Sequence, residues 1–320
     1  AVGLVAAIGL AIHRAQQRAE CEATGAAIDT RWSDPTKAAL AEAFAGSGAP
    51  DGAATWARVA PGLDAWTQAW REARAAACLE AHDEPEAGHL RQACLERHRG
   101  DLMAFVGALA EPTAVVVHRA ASAAQGLPSL EDCEDETALL ASADRDATHL
   151  DRAVELDRGI GRARALRTTG QAEAARAEID QVIEQAGVED LRPVTGRALL
   201  ERAYLHRSTG DMAAAELDLR AAYFNAVADR RARVAATAAV GLVDVLAALH
   251  RTDEALAWSE HARAHIDALE RATALDAALR QALAHVGVAQ TEQADADDGS
   301  GSEGSGSEGS SDDGAPRADG

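Results

Sequence analysis

The sequence predicts an all-α protein: a helical-hairpin subdomain followed by an α-solenoid. Three observations predict it. Between Arg14 and Gln290 β-branched runs are rare, and the exception, "AVVVH" at Ala114–His118, lies inside a helical pattern. The prolines fall where helices begin. Asp34-Pro35, Glu84-Pro85 and Glu111-Pro112 each place proline at a first helical position, behind an acid that suits a helix N-terminus. The second half repeats itself, with Gly170, Gly210 and His250 standing 40 residues apart in comparable surroundings.

The elements follow in chain order. The opening apolar run, Ala1 to Ile12, covers only ~18 Å as a helix, whereas a bilayer span needs ~20 apolar residues. We expect residues 1–14 to be the end of a truncated transmembrane helix, with the apolar core of a processed signal as the next reading. His13, Arg14 and Arg18 follow at once, and by the positive-inside rule they favour a cytoplasmic exit. Residues 15–145 read as a cysteine-containing helical subdomain. Within it a hairpin of Leu63–His82 and Glu86–Ala110 turns at "DEP", and Gly126 ends a later helix before "LPSLEDC" turns the chain.

Residues 146–290 read as the repeat array. With Gly170, Gly210 and His250 aligned, Ala175, Ala215 and Ala255 follow five positions on. Val182, Ala222 and Ala262 follow twelve positions on, and Ala163, Ala203 and Val243 stand seven before. Small residues at these offsets let antiparallel helices approach closely, and glycine permits the tight turn between them. The pattern resembles the tetratricopeptide repeat, with a small residue in the first helix, a turn glycine, and Ala215, Leu219 and Ala222 in the second. It departs from that family in its longer period, in His250 at a turn position, and in lacking the first-helix tryptophan and repeat-end proline. Residues 291–320, with almost no apolar side chains, cannot offset their own ordering entropy and are expected to be a disordered acidic tail.

Composition narrows the partners. The net charge of −21 argues against nucleic acid, which needs a concentrated positive face. Thr291–Gly320 contributes −8 of it through nine acids and one arginine, leaving −13 for the rest. Lys37 is the sole lysine among 31 basic residues.

The cysteines carry the compartment argument. Cys78 and Cys94 lie about equally far from the hairpin turn and could face each other across it, while a Cys21–Cys133 bond would join the subdomain's beginning to its end. That second bond would contribute ~4–5 kcal/mol by loop entropy. Four cysteines allow three pairings, and all remain open at this stage. Any of them implies an oxidising, extracytoplasmic space. The competing reading is zinc: Cys78, His82, Cys94 and His98 form two Cys–x3–His pairs that could surround a tetrahedral ion across the hairpin. It would belong to a cytoplasmic tetratricopeptide adaptor.

Other motifs read as structural. "ERHRGDL" at Glu96–Leu102 imitates a kinase catalytic loop, but Gly100 interrupts it and Val106 stands where the metal-holding asparagine belongs. His261 and His265, one turn apart, read as a solvated face rather than a metal pair. Trp56, Trp66 and Trp70 read as packing anchors in a core with few large side chains rather than as the lining of a ligand groove. No Gly-x-Ser-x-Gly elbow, glycine-rich phosphate loop or nucleophile–base pair is present, so we expect neither catalysis nor a cofactor in this chain.

The order of blocks carries a second resemblance. An apolar helix is followed by "AECEATGAAIDTRW", then "WARVAPGLDAWTQAWREARAAAC", "LRQACLERHRGDLMAF", "LPSLEDC" and the degenerate repeats. This order is similar to the region C-terminal to the kinase domain in large myxobacterial membrane-anchored serine/threonine protein kinases. The resemblance implies an upstream cytoplasmic kinase domain, a single membrane helix, and an extracytoplasmic helical region that senses or scaffolds. The expected partners are a protein or peptide ligand and, through the first helix, the membrane. None of that family's catalytic residues has a matching position here.

Overall fold

The computed structural model describes residues 2–141 and 150–300. The architecture is all-α, with no strand among the described residues. Helix α1 spans Val2–Ala26, α2 Asp34–Gly46, α3 Gly52–Asp83, α4 Pro85–Ala108, α5 Ala114–Gln125 and α6 Glu136–Ala141. Then come α7 Leu150–Thr168, α8 Ala172–Val188, α9 Arg192–Ser208, α10 Met212–Ala228, α11 Ala232–Ala248, α12 Thr252–Ile266 and α13 Thr273–Ser300.

Local chemistry fixes several of the starts. Ser33 caps α2 by accepting from the Thr36 N–H at 3.4 Å, with Pro35 in the first turn. Pro85 opens α4. The third proline signal lands late. Helix α5 begins at Ala114, because Thr113 captures the Val116 N–H at 3.3 Å and so outcompetes Pro112 as the starting point. Helix α3 begins earlier than expected and runs through Pro61. Its buried stripe of Trp56, Val59, Leu63, Trp70 and Ala77 continues on both sides of the proline, and that packing offsets the lost hydrogen bond.

The repeat geometry is built on left-handed turns. Gly170, Gly210 and His250 have φ of +84°, +87° and +56°. Asp190 and Arg230 do the same between the repeats, at +51° and +56°, so a turn recurs midway through each period. The small residues at the aligned offsets lie in the interfaces: Ala163, Ala203, Val243, Ala175, Ala215, Ala255, Val182, Ala222 and Ala262 are all buried.

The helices stack in two layers. Helices α4, α7, α9, α11 and α13 follow one another along the inner layer, while α8, α10 and α12 pack outside them. The expected division into subdomain and array is therefore bridged. The boundary near residue 145 lies outside the described residues, but Ala165 of α7 belongs to the apolar core of the first half. The boundary at residue 14 falls inside the continuous helix α1. No helix among the described residues is long and apolar enough to cross a membrane. At the other end α13 continues to Ser300, into the segment expected to be structureless, since extending an existing helix avoids the cost of nucleation. Residues 301–320 lie outside the described residues.

Candidate ligand-binding cleft

The four cysteines form two disulfides, Cys21–Cys78 and Cys94–Cys133, with Cα separations of 5.4 and 5.6 Å. The pairing suggested by distance from the hairpin turn is thus corrected: Cys78 does not meet Cys94, nor Cys21 Cys133. The reason is helical phase. Helix α3 turns Trp70, Ala77 and Ala81 toward α4, where Trp70 Nε1 donates to the Leu95 carbonyl at 2.7 Å, Gln92 Nε2 donates to the Ala77 carbonyl at 3.1 Å, and Gly88 lies against Ala81. Cys78 is one residue out of that stripe. It falls seven residues from Arg71, whose carbonyl meets Gly25 of α1, and so faces Cys21.

The same phase separates the zinc candidates. Cys78 and His82 group with Cys21, whereas Cys94 and His98 group with Cys133. The four residues Cys78, His82, Cys94 and His98 therefore do not gather around one point.

Trp56, Trp66 and Trp70 all pack in the first-half core. Trp56 packs on Trp32 and Phe44 with ring centroids 6.2 and 5.4 Å apart. Trp66 Nε1 donates to the Pro128 carbonyl at 3.1 Å and holds the chain there. His261 and His265 are more engaged than a solvated face. Tyr223 Oη lies 3.2 and 3.3 Å from their ring nitrogens. Burial first, and the His261 charge second, hold His265 below the ordinary histidine range. Tyr223 could not be tied to that pair in sequence, because it sits one repeat earlier.

The main cavity lies on the inner layer. Helices α4, α7 and α9, the start of α11 and residues Asp132 and Leu139 enclose a cleft of about 990 Å3. The segment carrying Asp132 crosses from α4 toward α11, where Arg233 bonds Asp132 at 2.8 Å and the fully buried Asp135 at 3.1 Å. Arg271 Nη1 adds an ion pair to Glu134 at 3.1 Å. A surface that stacked hairpins would leave open is thereby partly roofed.

Charge in the cleft runs opposite to the chain as a whole. Nine arginines and four carboxylates line it, whereas the full sequence has 31 basic and 52 acidic residues. Most of these arginines are committed. Arg99 pairs with Glu96 at 2.7 Å, and Arg162 with Glu178 at 2.5 Å. Arg164 reaches both Asp101 at 3.3 Å and Glu201 at 3.2 Å. Burial opposes its charge, but the two carboxylates hold Arg164 above its usual range. Arg197 Nε donates to Asp157 at 3.1 Å.

Arg97, Arg158 and Arg31 are different. Each is exposed, lines the cleft, and has no side-chain hydrogen bond or ion pair among the described residues. Crowding by the surrounding protein first, and repulsion from the Arg197 guanidinium second, outweigh the attraction of Asp157 and Asp101 and hold Arg97 below the ordinary arginine range. Apart from His98, which lies 3.6 Å from Asp101, the remaining wall is apolar, including Met103, Val106, Leu139, Val154, Ile160 and Val234.

The arginines equip the cleft to bind an anion. Guanidinium groups donate hydrogen bonds and do not exchange protons near neutrality, and the one cysteine in the lining, Cys94, is held in a disulfide. Sequence reading missed the cleft, although "ERHRGDL", set aside as a false kinase loop, supplies one wall of it from Glu96 to Asp101. The fold and cleft together define a helical-repeat protein with a positively charged internal cavity. Comparison with known proteins finds no matching family model, no matching curated protein and no matching solved structure.

Proposed function

We propose that this chain is a non-catalytic recognition region that works in an oxidising space outside the cytoplasm and lodges its ligand in the arginine-walled cleft. The observation that carries the reading is the cleft itself: about 990 Å3, walled by nine arginines, most of them ion-paired, together with carboxylates and apolar side chains. That is the size of a small-ligand site. The ligand is assigned to the cleft rather than to an open concave groove because the segment carrying Asp132 and Leu139 crosses that groove. The two disulfides support the compartment.

The wider reading is that the chain forms the sensory or scaffolding half of a membrane-anchored bacterial serine/threonine protein kinase. Its support is the resemblance in block order, together with the exposed Ile8, Leu10 and Ile12 of α1, which suit a lipid-facing start. A kinase domain encoded in frame before Ala1 is the expected finding, and an unrelated domain there would remove this part.

Native mass spectrometry of protein exported to the periplasm tests the core of the reading. The expected result is a chain four hydrogens lighter than its fully reduced form, carrying a non-covalent adduct. The adduct should disappear in Gly100→Phe, because Gly100 lines the cleft and has no other atom within 4 Å of where a Cβ would stand. Free thiols with bound metal would favour the cytoplasmic zinc adaptor instead. An adduct retained in Gly100→Phe would remove the cleft from the proposal.

A further inference from the structure

We infer that the cleft takes a small amphiphilic anion, a carboxylate or phosphate joined to an apolar body, with the head group held at Arg97 beside Arg197. The inference deepens the proposed function and rests on the cleft being a recognition site.

The head group follows from the charges. Arg97 of α4 and Arg197 of α9 line the same cleft and repel each other. Arg197 bonds Asp157, whereas the Arg97 side chain, though attracted by Asp157 and Asp101, makes no hydrogen bond or ion pair among the described residues. Two guanidinium groups brought together in a walled space repel each other, and an oxyanion between them relieves the repulsion. It would also satisfy Arg97's donors with charge-assisted, forked hydrogen bonds. Arg158 and Arg31, whose side chains have no ion-pair partner among the described residues, add positive potential at the same cleft. A cation is disfavoured by nine arginines against four carboxylates, each of the four lying in or beside an existing ion pair.

The apolar body follows from the rest of the wall. Met103, Val106, Val154, Ile160 and Val234 offer hydrocarbon that a bare inorganic anion would leave wetted. A ligand with both halves satisfies both surfaces, and burying its apolar part supplies binding free energy of about 25 cal/mol per Å2. The acidic character of the outer surface adds selectivity. It repels anions in general, so an anion must gain contacts inside the cleft to be held.

Isothermal titration calorimetry on the full, oxidised chain tests the inference with dodecanoate and dodecyl phosphate as probes, below their micellar concentrations. Inorganic phosphate and dodecyltrimethylammonium serve as controls. The expected result is saturable one-to-one binding of one or both anionic amphiphiles, with the two arms separating carboxylate from phosphate preference. Inorganic phosphate should bind at least tenfold more weakly and the cationic amphiphile not measurably. Arg97→Gln should weaken binding about tenfold or more with little change in melting temperature, since the Arg97 side chain makes no hydrogen bond or ion pair among the described residues. Absence of saturable binding by both anions, equal binding of the cation, or indifference to Arg97→Gln would each overturn the assignment. So would binding of a peptide of sequence Thr291–Gly320 in place of the amphiphiles, which would make the ligand an acidic chain. If the amphiphiles fail while the periplasmic adduct is still lost in Gly100→Phe, the recognition reading stands and only the ligand class falls.

Discussion

At the residue scale the repeat turns impose one demand and meet it with different side chains. Each needs a left-handed residue, which glycine supplies freely and a β-carbon opposes. Gly170 and Gly210 meet it at no steric cost, whereas His250 occupies the equivalent position at φ +56°. His250→Gly should therefore raise stability by about 1 kcal/mol, and Gly210→Ala should lower it by about the same amount. Urea midpoints measure both, and a destabilised His250→Gly would show that the imidazole has a role beyond filling a turn. The same comparison explains what could be read from sequence. The period was visible because glycine marks two of the three turns. The intervening turns at Asp190 and Arg230 were not, because a charged residue in that conformation carries no compositional signal.

At the element scale the decisive quantity is the angle by which a residue points away from its helix's packing stripe. The hairpin of α3 and α4 was legible from its turn chemistry. The disulfide partners were not, because a shift of one residue rotates a side chain by about 100° and moves Cys78 from the α4 face to the α1 face. The Cys21–Cys78 bond, spanning 57 residues, ties α1 to α3, and Cys94–Cys133, spanning 39, ties α4 to the turn that leads into the cleft's roof. Loop-entropy estimates give about 4 kcal/mol for each. The double change Cys21→Ser/Cys78→Ser should lower unfolding free energy by roughly that amount and raise amide exchange in α1 above exchange in α4. Equal loosening of both helices would contradict the assignment of this bond to the α1–α3 contact. Gly88 and Gly25 show why these helices can approach so closely: a β-carbon at either would stand about 2.5 Å or less from backbone of the partner helix.

At the scale of the whole molecule, function is a matter of convergence. The cleft draws arginines from Arg31 to Arg233. No local window of sequence contains enough of them to suggest an anion site in so acidic a chain. Superhelical stacking of α4, α7, α9 and α11 brings them to one face, and Arg233 holds the crossing segment over it. Removing that arginine takes from the fully buried Asp135 its ion pair at 3.1 Å, one of its several contacts, and losing one partner of a buried pair is costly. Arg233→Ala should destabilise by about 3 kcal/mol and speed cleavage by added protease near Leu130–Glu134 more than elsewhere. Uniform protease sensitivity would mean the tie does not fix the roof. The disulfide topology has one more consequence, for biogenesis. Taken in order of emergence, the first cysteine joins the second and the third joins the fourth. A chain threaded outward from its amino end can therefore be oxidised correctly by pairing each thiol with the next to arrive, and its maturation should proceed with an oxidase alone, without an enzyme that reshuffles wrong bonds.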